Sequence, residues 1–313
     1  MKYINELKEN DHLSGHYFCR QKLNLKTRSG KTYLSLKLMD KTGQLDAKVW
    51  EMNNDIEDFN EGDYIRIEGS VLTYQNELQL KIIKIRKSEP GEYAPSDYIP
   101  CTEKDIGLLY SELSGYVKTL SDPHIKKLAE SILVDDKAVA DSLMKCTAAK
   151  NMHHSYMGGL LEHTVSVVKL CEFLSQTYAG VNRDILLVTA MLHDIGKIYE
   201  LTDLPENAYT DDGQLLGHIV MGAQMVSNVA DRLTGFPHGL KSLLTHSILA
   251  HHGEYEFGSP KLPYTLEAFI LHCADNIDAK VKSFEETFKN DGQEGAWTGR
   301  NNMLARNLRR TVY

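Results

Sequence analysis

Residues 191–200 read Met191-Leu192-His193-Asp194-Ile195-Gly196-Lys197-Ile198-Tyr199-Glu200. An apolar run, Asp184 to Leu192, ends here on a histidine and an aspartate side by side, with a lysine three residues on. Adjacent side chains on a helix diverge by about 100°, so this doublet does not continue one apolar stripe. It is either the polar last turn of a helix or a pair of metal donors. The rest of the chain decides between them. Candidate donors follow one another as His163, His193-Asp194, His218, His251-His252 and Asp275, each near the start or end of a segment with helical periodicity. A helical bundle can point several such positions into one cavity. Imidazoles with a few carboxylates suit Mn, Fe, Co, Ni or Zn, whereas Ca or Mg would call for mostly oxygen ligands. The pattern therefore predicts a helical domain around a transition-metal centre of two ions.

Ten of the thirteen histidines lie between His153 and His272, and charge is skewed the other way. From His12 to Ser88 there are 13 Lys+Arg against 10 Asp+Glu, a net of +3, so the remainder of the −8 chain carries −11. Two segments of different chemistry are expected, and 313 residues are enough for two cores. The negative total argues against coating nucleic acid by charge alone. No apolar run approaches the ~20 residues of a membrane span, and MKYINELKEN lacks the apolar stretch of a secretory signal. The five cysteines form no C-x-x-C pair, which suggests neither a disulfide framework nor a zinc ribbon. A cytoplasmic protein with no membrane partner is expected.

The first segment, residues 1–88, reads as β. H-Y-F-C-R, T-Y-L-S-L-K-L-M-D and Q-L-D-A-K-V-W-E alternate apolar and polar residues, with turn signals at Ser29-Gly30 and Lys41-Thr42-Gly43. A short helix is expected around D-I-E-D-F-N, then two more strands joined at Gln75-Asn76. Five strands and a helix in this length suggest an OB-type Greek-key barrel. Residues 89–101, with three prolines in the stretch Ser88 to Pro100, read as a linker. Residues 102–288 read as all-α, with Asp122-Pro123 opening one of the helices. Residues 289–313, rich in Asn, Gly and Arg, read as a loosely held tail. The fold class is thus multi-domain, an OB-type β-barrel followed by an all-α helical bundle.

The strings G-G-L-L-E-H-T, H-D-I-G-K, G-H-I, A-H-H-G and A-D-N-I-D-A occur in that order between Asn151 and Lys280. They resemble the HD-domain superfamily of metal-dependent phosphohydrolases. The minimal pattern of that superfamily maps onto His163, His193, Asp194 and Asp275. The longer, two-metal pattern adds His218, His251 and His252, with Asp194 bridging both ions. Two ions about 3.5–4 Å apart hold a nucleophile and a phosphoryl oxygen together, and the resemblance puts Lys197 at the phosphate as a point charge. Asp194 and Lys197 are therefore the residues expected to carry catalysis. His154 is a candidate for facing substrate; His272 and Asp278, three residues either side of Asp275, are candidates for orienting it or for reaching substrate. Glu162 is read as a surface residue and His246 as structural.

OB barrels hold single strands by stacking bases on aromatics beside a positive groove. Tyr33, Trp50 and Tyr74 are candidate platforms, with Lys31, Lys37, Lys48 and Arg66 nearby in sequence; the competing reading places Trp50 and Phe59 in the barrel core. The order of barrel, Pro-rich linker and HD domain, from Gly15 to Lys280, resembles the YhaM family of 3′-to-5′ exoribonucleases. That resemblance implies Mn²⁺-supported hydrolysis of single-stranded RNA to nucleoside 5′-monophosphates, with single-stranded DNA as a further substrate and Co²⁺, Fe²⁺, Ni²⁺ or Zn²⁺ as alternative metals. Two rivals stand beside it. HD phosphodiesterases also cleave cyclic dinucleotides or small nucleotides, although the G-Y-P string typical of the cyclic-dinucleotide group does not follow His251-His252 here. The other rival is a non-catalytic single-strand-binding accessory, disfavoured because every position of the longer ligand pattern is kept. Oligomeric state is left open, a homo-oligomer through the Leu108–Leu120 helical faces included.

Overall fold

The computed structural model describes every residue except 1, 28–29, 52, 54, 75–76, 95–96, 151–155, 205, 292–294, 302–303 and 312–313. Gln75-Asn76, Ser29, His153 and His154 therefore lie outside the described residues. The chain divides into two compact units, Met1–Cys101 with Leu204–Glu206, and Thr102–Asp203 with Asn207–Tyr313.

Strands β1 (His12–Lys26), β2 (Thr32–Asp40), β3 (Gly43–Val49), β4 (Tyr64–Tyr74) and β5 (Glu77–Lys87) close into a barrel in the order β1-β2-β3-β5-β4. The long β1 makes closure possible: its first half pairs with β4 and its second half with β2. Only β3 and β5 run parallel. Alternation sets the faces. Leu34, Leu36 and Leu38 of β2, Ala47 and Val49 of β3, and Ile65 and Ile67 of β4 point inward and are almost inaccessible. Each large aliphatic side chain buried this way contributes about 1.5–3 kcal/mol.

Two expectations for this unit need correction. No helix forms around Asp55 to Asn60. Ile56 instead makes a parallel bridge with Ile85, the Glu57 N–H donating to the Ile85 carbonyl and the Ile85 N–H to that of Asp55, both at 2.9 Å. The Glu57 N–H and the Asp55 carbonyl, which a helical turn would need, are thus taken by β5. The Pro-rich stretch is likewise more than a linker. Tyr93 stacks on Tyr64 with ring centroids 4.0 Å apart, and Tyr98 is buried with Phe18 and Met39. Burying two rings against the barrel offsets the ordering of a segment with no periodicity of its own.

The second unit carries α1 (Ile106–Lys118), α2 (Pro123–Glu130), α3 (Lys137–Lys145), α4 (Gly159–Thr177), α5 (Arg183–Leu192), α6 (Lys197–Glu200), α7 (Asp211–Arg232), α8 (His238–Ala250) and α9 (Leu266–Asn290). Side-chain caps start most of them: Asp105, Asp122, Asp136, Asn182, Thr210 and Thr265 each accept an N–H from the first turn. Pro123 occupies a first-turn position where it loses no hydrogen bond. The sequence reading passes over α3 and α8. The first has only nine residues and follows a π-helical turn, Ser131–Asp135; the second opens on Pro237 without a side-chain cap. α5 is buried from Asp184 to Leu192 and α4 on most of its surface, so these two are the centre of the bundle. A polar doublet placed at the end of α5 is consequently delivered to the interior.

The C-terminal segment expected to be loose forms a hairpin, β6 (Trp297–Asn301) with β7 (Arg306–Arg309). Leu308 and Thr298 are buried there, the Leu308 N–H donates to the Thr298 hydroxyl, and Arg310 pairs with Asp291 at 2.9 Å. Among the described residues no helix is long and apolar enough to cross a membrane.

Candidate metal centre

The glycine of H-D-I-G-K has a steric reason. A Cβ on Gly196 would stand 2.0 Å from the His218 carbonyl oxygen and 2.7 Å from the Gly222 nitrogen, so only glycine lets the turn after Asp194 meet α7. That helix is interrupted at Gly217, whose φ of 76° and ψ of 156° belong to a region open essentially to glycine alone. The break turns His218 so that its backbone N–H and its Nδ1 both reach Glu200 Oε1, at 2.9 and 3.0 Å.

Around Asp194 the donors fall into two groups. Its Oδ2 lies 3.6 Å from His163 Nε2 and 3.4 Å from His193 Nε2, and Asp275 Oδ1 stands 3.1 Å from that same His163 nitrogen. Its Oδ1 lies 3.4 Å from His218 Nε2 and 3.6 Å from His251 Nε2. Ligand atoms of His163, His193 and Asp194 lie within 4.8 Å of one another, as do those of His218, His251 and His252. Each group could hold a metal ion, and one carboxylate faces both.

Every imidazole is tethered at Nδ1. His193 uses the Ala190 carbonyl, His251 that of Ile248 and His252 that of Phe257, at 2.9, 2.7 and 2.8 Å. A carbonyl only accepts, so Nδ1 carries the proton and Nε2 keeps its lone pair. His218 and His163 use carboxylates instead, Glu200 and Asp278, the latter at 2.7 Å. Asp278 is itself held by the Ser166 hydroxyl. Ring orientation and tautomer are thus set by the surrounding shell, as at established metal sites.

Electrostatics differ between the two groups. On the His163 side burial works against charge, but hydrogen bonds to Asp275 and Asp278 outweigh it and lift the imidazole to about 10. Burial likewise opposes ionisation of Asp194, yet the Lys197 charge beside it holds it well below the usual carboxylate range. Lys197 donates to Asp194 Oδ2 at 2.7 Å, and that contact raises its own pKa against the effect of burial. On the other side burial keeps His251 neutral, and burial with the neighbouring His251 pushes His252 down to about 4.

The donor set fits a divalent cation. Among the described residues Asp194 Oδ1, His218 Nε2 and His251 Nε2 are buried without a hydrogen-bond partner, although the Asp194 oxygen lies within 3.6 Å of both nitrogens. Buried polar atoms left this way are rare, and lone pairs crowded together are repulsive unless a cation or proton lies between them. A neutral His251 and His252 and an ionised Asp194 are in the protonation states that metal binding requires.

The structure brings His163, His193, Asp194, Lys197, His218, His251, His252 and Asp275 together and reassigns their neighbours. Asp278 tethers His163 rather than Asp275. His272 donates from Nδ1 to the His251 carbonyl at 3.0 Å and lines the cavity above the cluster. Glu162, read as a surface residue, is buried. It accepts from the Thr102 and Tyr156 hydroxyls and pairs with Lys104 at 3.1 Å and Lys282 at 3.3 Å. Burial alone would raise its pKa; those partners bring it to about 2. Glu200 and Ser166 were missed. The one signal for Glu200 was its place three residues after Lys197.

On the barrel, Tyr33 and Trp50 stack at 4.7 Å and 22°, with Lys48 Nζ 5.8 Å from the Tyr33 ring. Trp50 is 38% exposed while Phe59 is in the core, so the core reading holds for Phe59 and not for Trp50. Lys31, two residues before Tyr33, is exposed where the chain enters β2. Tyr74, at the end of β4, is exposed opposite Glu77. Arg66 belongs elsewhere: on β4 it sits between His16 of β1 and Arg86 of β5, away from the β2–β3 face. That face is the one OB barrels use for oligonucleotides.

Comparison with known proteins places both units. Residues 160–280 match the HD domain and residues 20–87 an OB-fold nucleic acid binding domain. The two together define an HD-domain enzyme with an OB-fold domain before it. Over 263 residues the chain is 33% identical to the 3′-5′ exoribonuclease YhaM of Geobacillus sp. (strain WCH70), covering 83% of this chain and 80% of that one. It is 33% identical to its namesake in Listeria welshimeri (83% of each chain) and 32% to that of Shouchella clausii (83% and 81%). The chain belongs to the YhaM family of 3′-5′ exoribonucleases.

Proposed function

We propose that this protein is a metal-dependent 3′-5′ exoribonuclease, in which the barrel holds a single strand and the helical unit hydrolyses the terminal phosphodiester. One observation carries the reading: two donor groups converge on the two oxygens of Asp194, with buried nitrogens and an oxygen that find no hydrogen-bond partner among the described residues. His163, His193, Asp194 and Asp275 would hold one ion and His218, His251, His252 and Asp194 the other, with Mn²⁺ foremost. Such ions supply Lewis-acid charge to a phosphoryl oxygen and a more acidic water. The chain's own residues do the rest. Asp278, Glu200 and the Ala190, Ile248 and Phe257 carbonyls fix the imidazoles so that no reorganisation is needed at the moment of reaction. Lys197, at the wall of the cavity, meets the charge that gathers on the phosphoryl group. Hydrolysis releases nucleoside 5′-monophosphates. The Tyr33–Trp50 stack beside Lys48 supports single-stranded RNA, and single-stranded DNA, as the ligand of the barrel.

A Mn²⁺-supplemented time course on 5′-labelled single-stranded RNA, run beside Asp194→Ala, tests this. A descending ladder that needs both metal and Asp194 is the expected result. Internal cuts, or a ladder that persists in the variant, would refute it.

A further inference from the structure

The cavity over the metal cluster measures about 700 Å³, more than a phosphate needs and inside the range of roughly 300–1,000 Å³ common to small-molecule sites. Asp194, Lys197 and His218 line one part of it; Ala149, Lys150 and Tyr209 line another. The second wall has no role in metal binding. Its Tyr209 ring is 44% exposed, with Lys150 Nζ 5.1 Å from the ring centre. Among the described residues no other ring packs on Tyr209 and no carboxylate pairs with Lys150.

The backbone segments that carry the two side chains are tied together from beneath. Asn207 is buried and adopts a left-handed backbone, φ 45°. Its Oδ1 accepts from the Thr147 hydroxyl at 2.7 Å, and its Nδ2 donates to the carbonyls of Ala149 and Lys150 at 3.0 and 2.9 Å. On its own segment Tyr209 pairs with Leu201 as an antiparallel bridge, and the Thr202 N–H reaches the Ala208 carbonyl at 2.8 Å. A non-glycine residue keeps such a conformation only where its surroundings over-determine it. What Asn207 holds constant is the position of Lys150 against Tyr209.

We propose that Tyr209 and Lys150 form the subsite for the nucleotide being removed: its base stacks on the Tyr209 ring and Lys150 meets its ribose-phosphate oxygens. The inference rests on the cavity's being the active site. A ring edged by a cation is the platform that single-stranded nucleic acid uses, and every base has a π-face to offer it. The subsite would therefore accept all four bases. It would also explain why a phosphate-sized centre opens into so large a cavity.

Two esters with one leaving group test the subsite in the full chain: a nucleoside 5′-(p-nitrophenyl phosphate), and methyl p-nitrophenyl phosphate, which lacks base and ribose. The wild type in Mn²⁺ should favour the nucleoside ester about tenfold, chiefly through KM. Tyr209→Ala should reduce that preference to within about twofold, and Tyr209→Phe should keep it. Lys150→Ala should raise KM for the nucleoside ester and flatten its salt dependence. A wild type with no preference, or a preference that survives Tyr209→Ala, overturns the proposal. Equilibrium binding of adenosine 5′-monophosphate against ribose 5-phosphate reads the same subsite without turnover. If neither ester is cleaved, the hydrolase reading fails, while tighter, Tyr209-dependent binding of the adenosine nucleotide still supports the subsite. Equal binding of the two compounds overturns it.

Discussion

In the helical unit His163, His193 and His251 are at most 3% exposed, and each Nδ1 is bound so that its Nε2 points at one aspartate. In the barrel, Tyr33 and the 38% exposed Trp50 stack on each other beside Lys48, next to the Leu34–Val49 pair of β2 and β3. The difference follows from the ligand. A small ion rewards donors placed within a few tenths of an ångström, and only a packed core holds side chains that still. A flexible strand rewards broad, tolerant surfaces spread along a groove. The bundle therefore concentrates its function in a few side chains, whereas the barrel divides it among many.

The largest effect should come from Asp194, which faces both donor groups. Asp194→Ala is expected to lower kcat by about 10³-fold or more, on the scale of losing key electrostatic groups. Binding of single-stranded RNA, read by fluorescence anisotropy, should change less than about twofold. Loss of both would mean that the two regions do not divide the work.

Next is Glu200. Glu200→Ala frees His218 Nδ1 and should weaken metal binding in that half about 10–100-fold, as loss of an outer partner does at other metal sites. Calorimetric titration should then separate one tight and one weak ion. Two unchanged ions would show that the His218 ring is fixed by packing alone.

A third effect concerns pH. Asp275 and Asp278 raise the His163 pKa to about 10, so an ion must displace a proton there to bind. Affinity should tighten as pH rises from 6 to 8, by up to about tenfold per unit for one proton released. Proton release measured in two buffers of different ionisation enthalpy checks the stoichiometry, and a pH-independent affinity would show that His163 carries no proton for the ion to displace.

The smallest effect should be on the barrel. Trp50→Ala is expected to weaken single-strand binding about five- to tenfold, the order of one stacking contact, and Arg66→Ala less, because Arg66 lies away from the β2–β3 face. If Arg66→Ala were the more damaging, the strand would be running over a different wall.

How much of this was legible varied with the kind of contact. The string H-D-I-G-K and the spaced histidines announced the centre because donor chemistry is carried by residue type. The same letters said little about their neighbours. Glu162 was read as exposed because a charged residue near a helix start usually is; Thr102, Lys104 and Lys282, which make its burial tolerable, are far from it in sequence. Asp278 was matched to Asp275 by spacing on one helix, but a helix also has a face toward α4, where His163 is waiting. In the barrel, alternation placed each strand but could not say which outward face carried the stacked Tyr33 and Trp50 rings.

What the sequence determined by itself, then, was the pair of folds, the set of candidate donors and the family. These depend on periodicity and on residue types in order, which a linear chain displays directly. The tertiary structure alone decided how the donors split into two groups about Asp194. It also decided that Glu200 tethers His218 through a break at Gly217, and that Asn207 holds Lys150 against Tyr209. Each of those is a meeting of side chains from separate elements, set by which helix faces can pack, and neighbouring residues in the chain do not encode it.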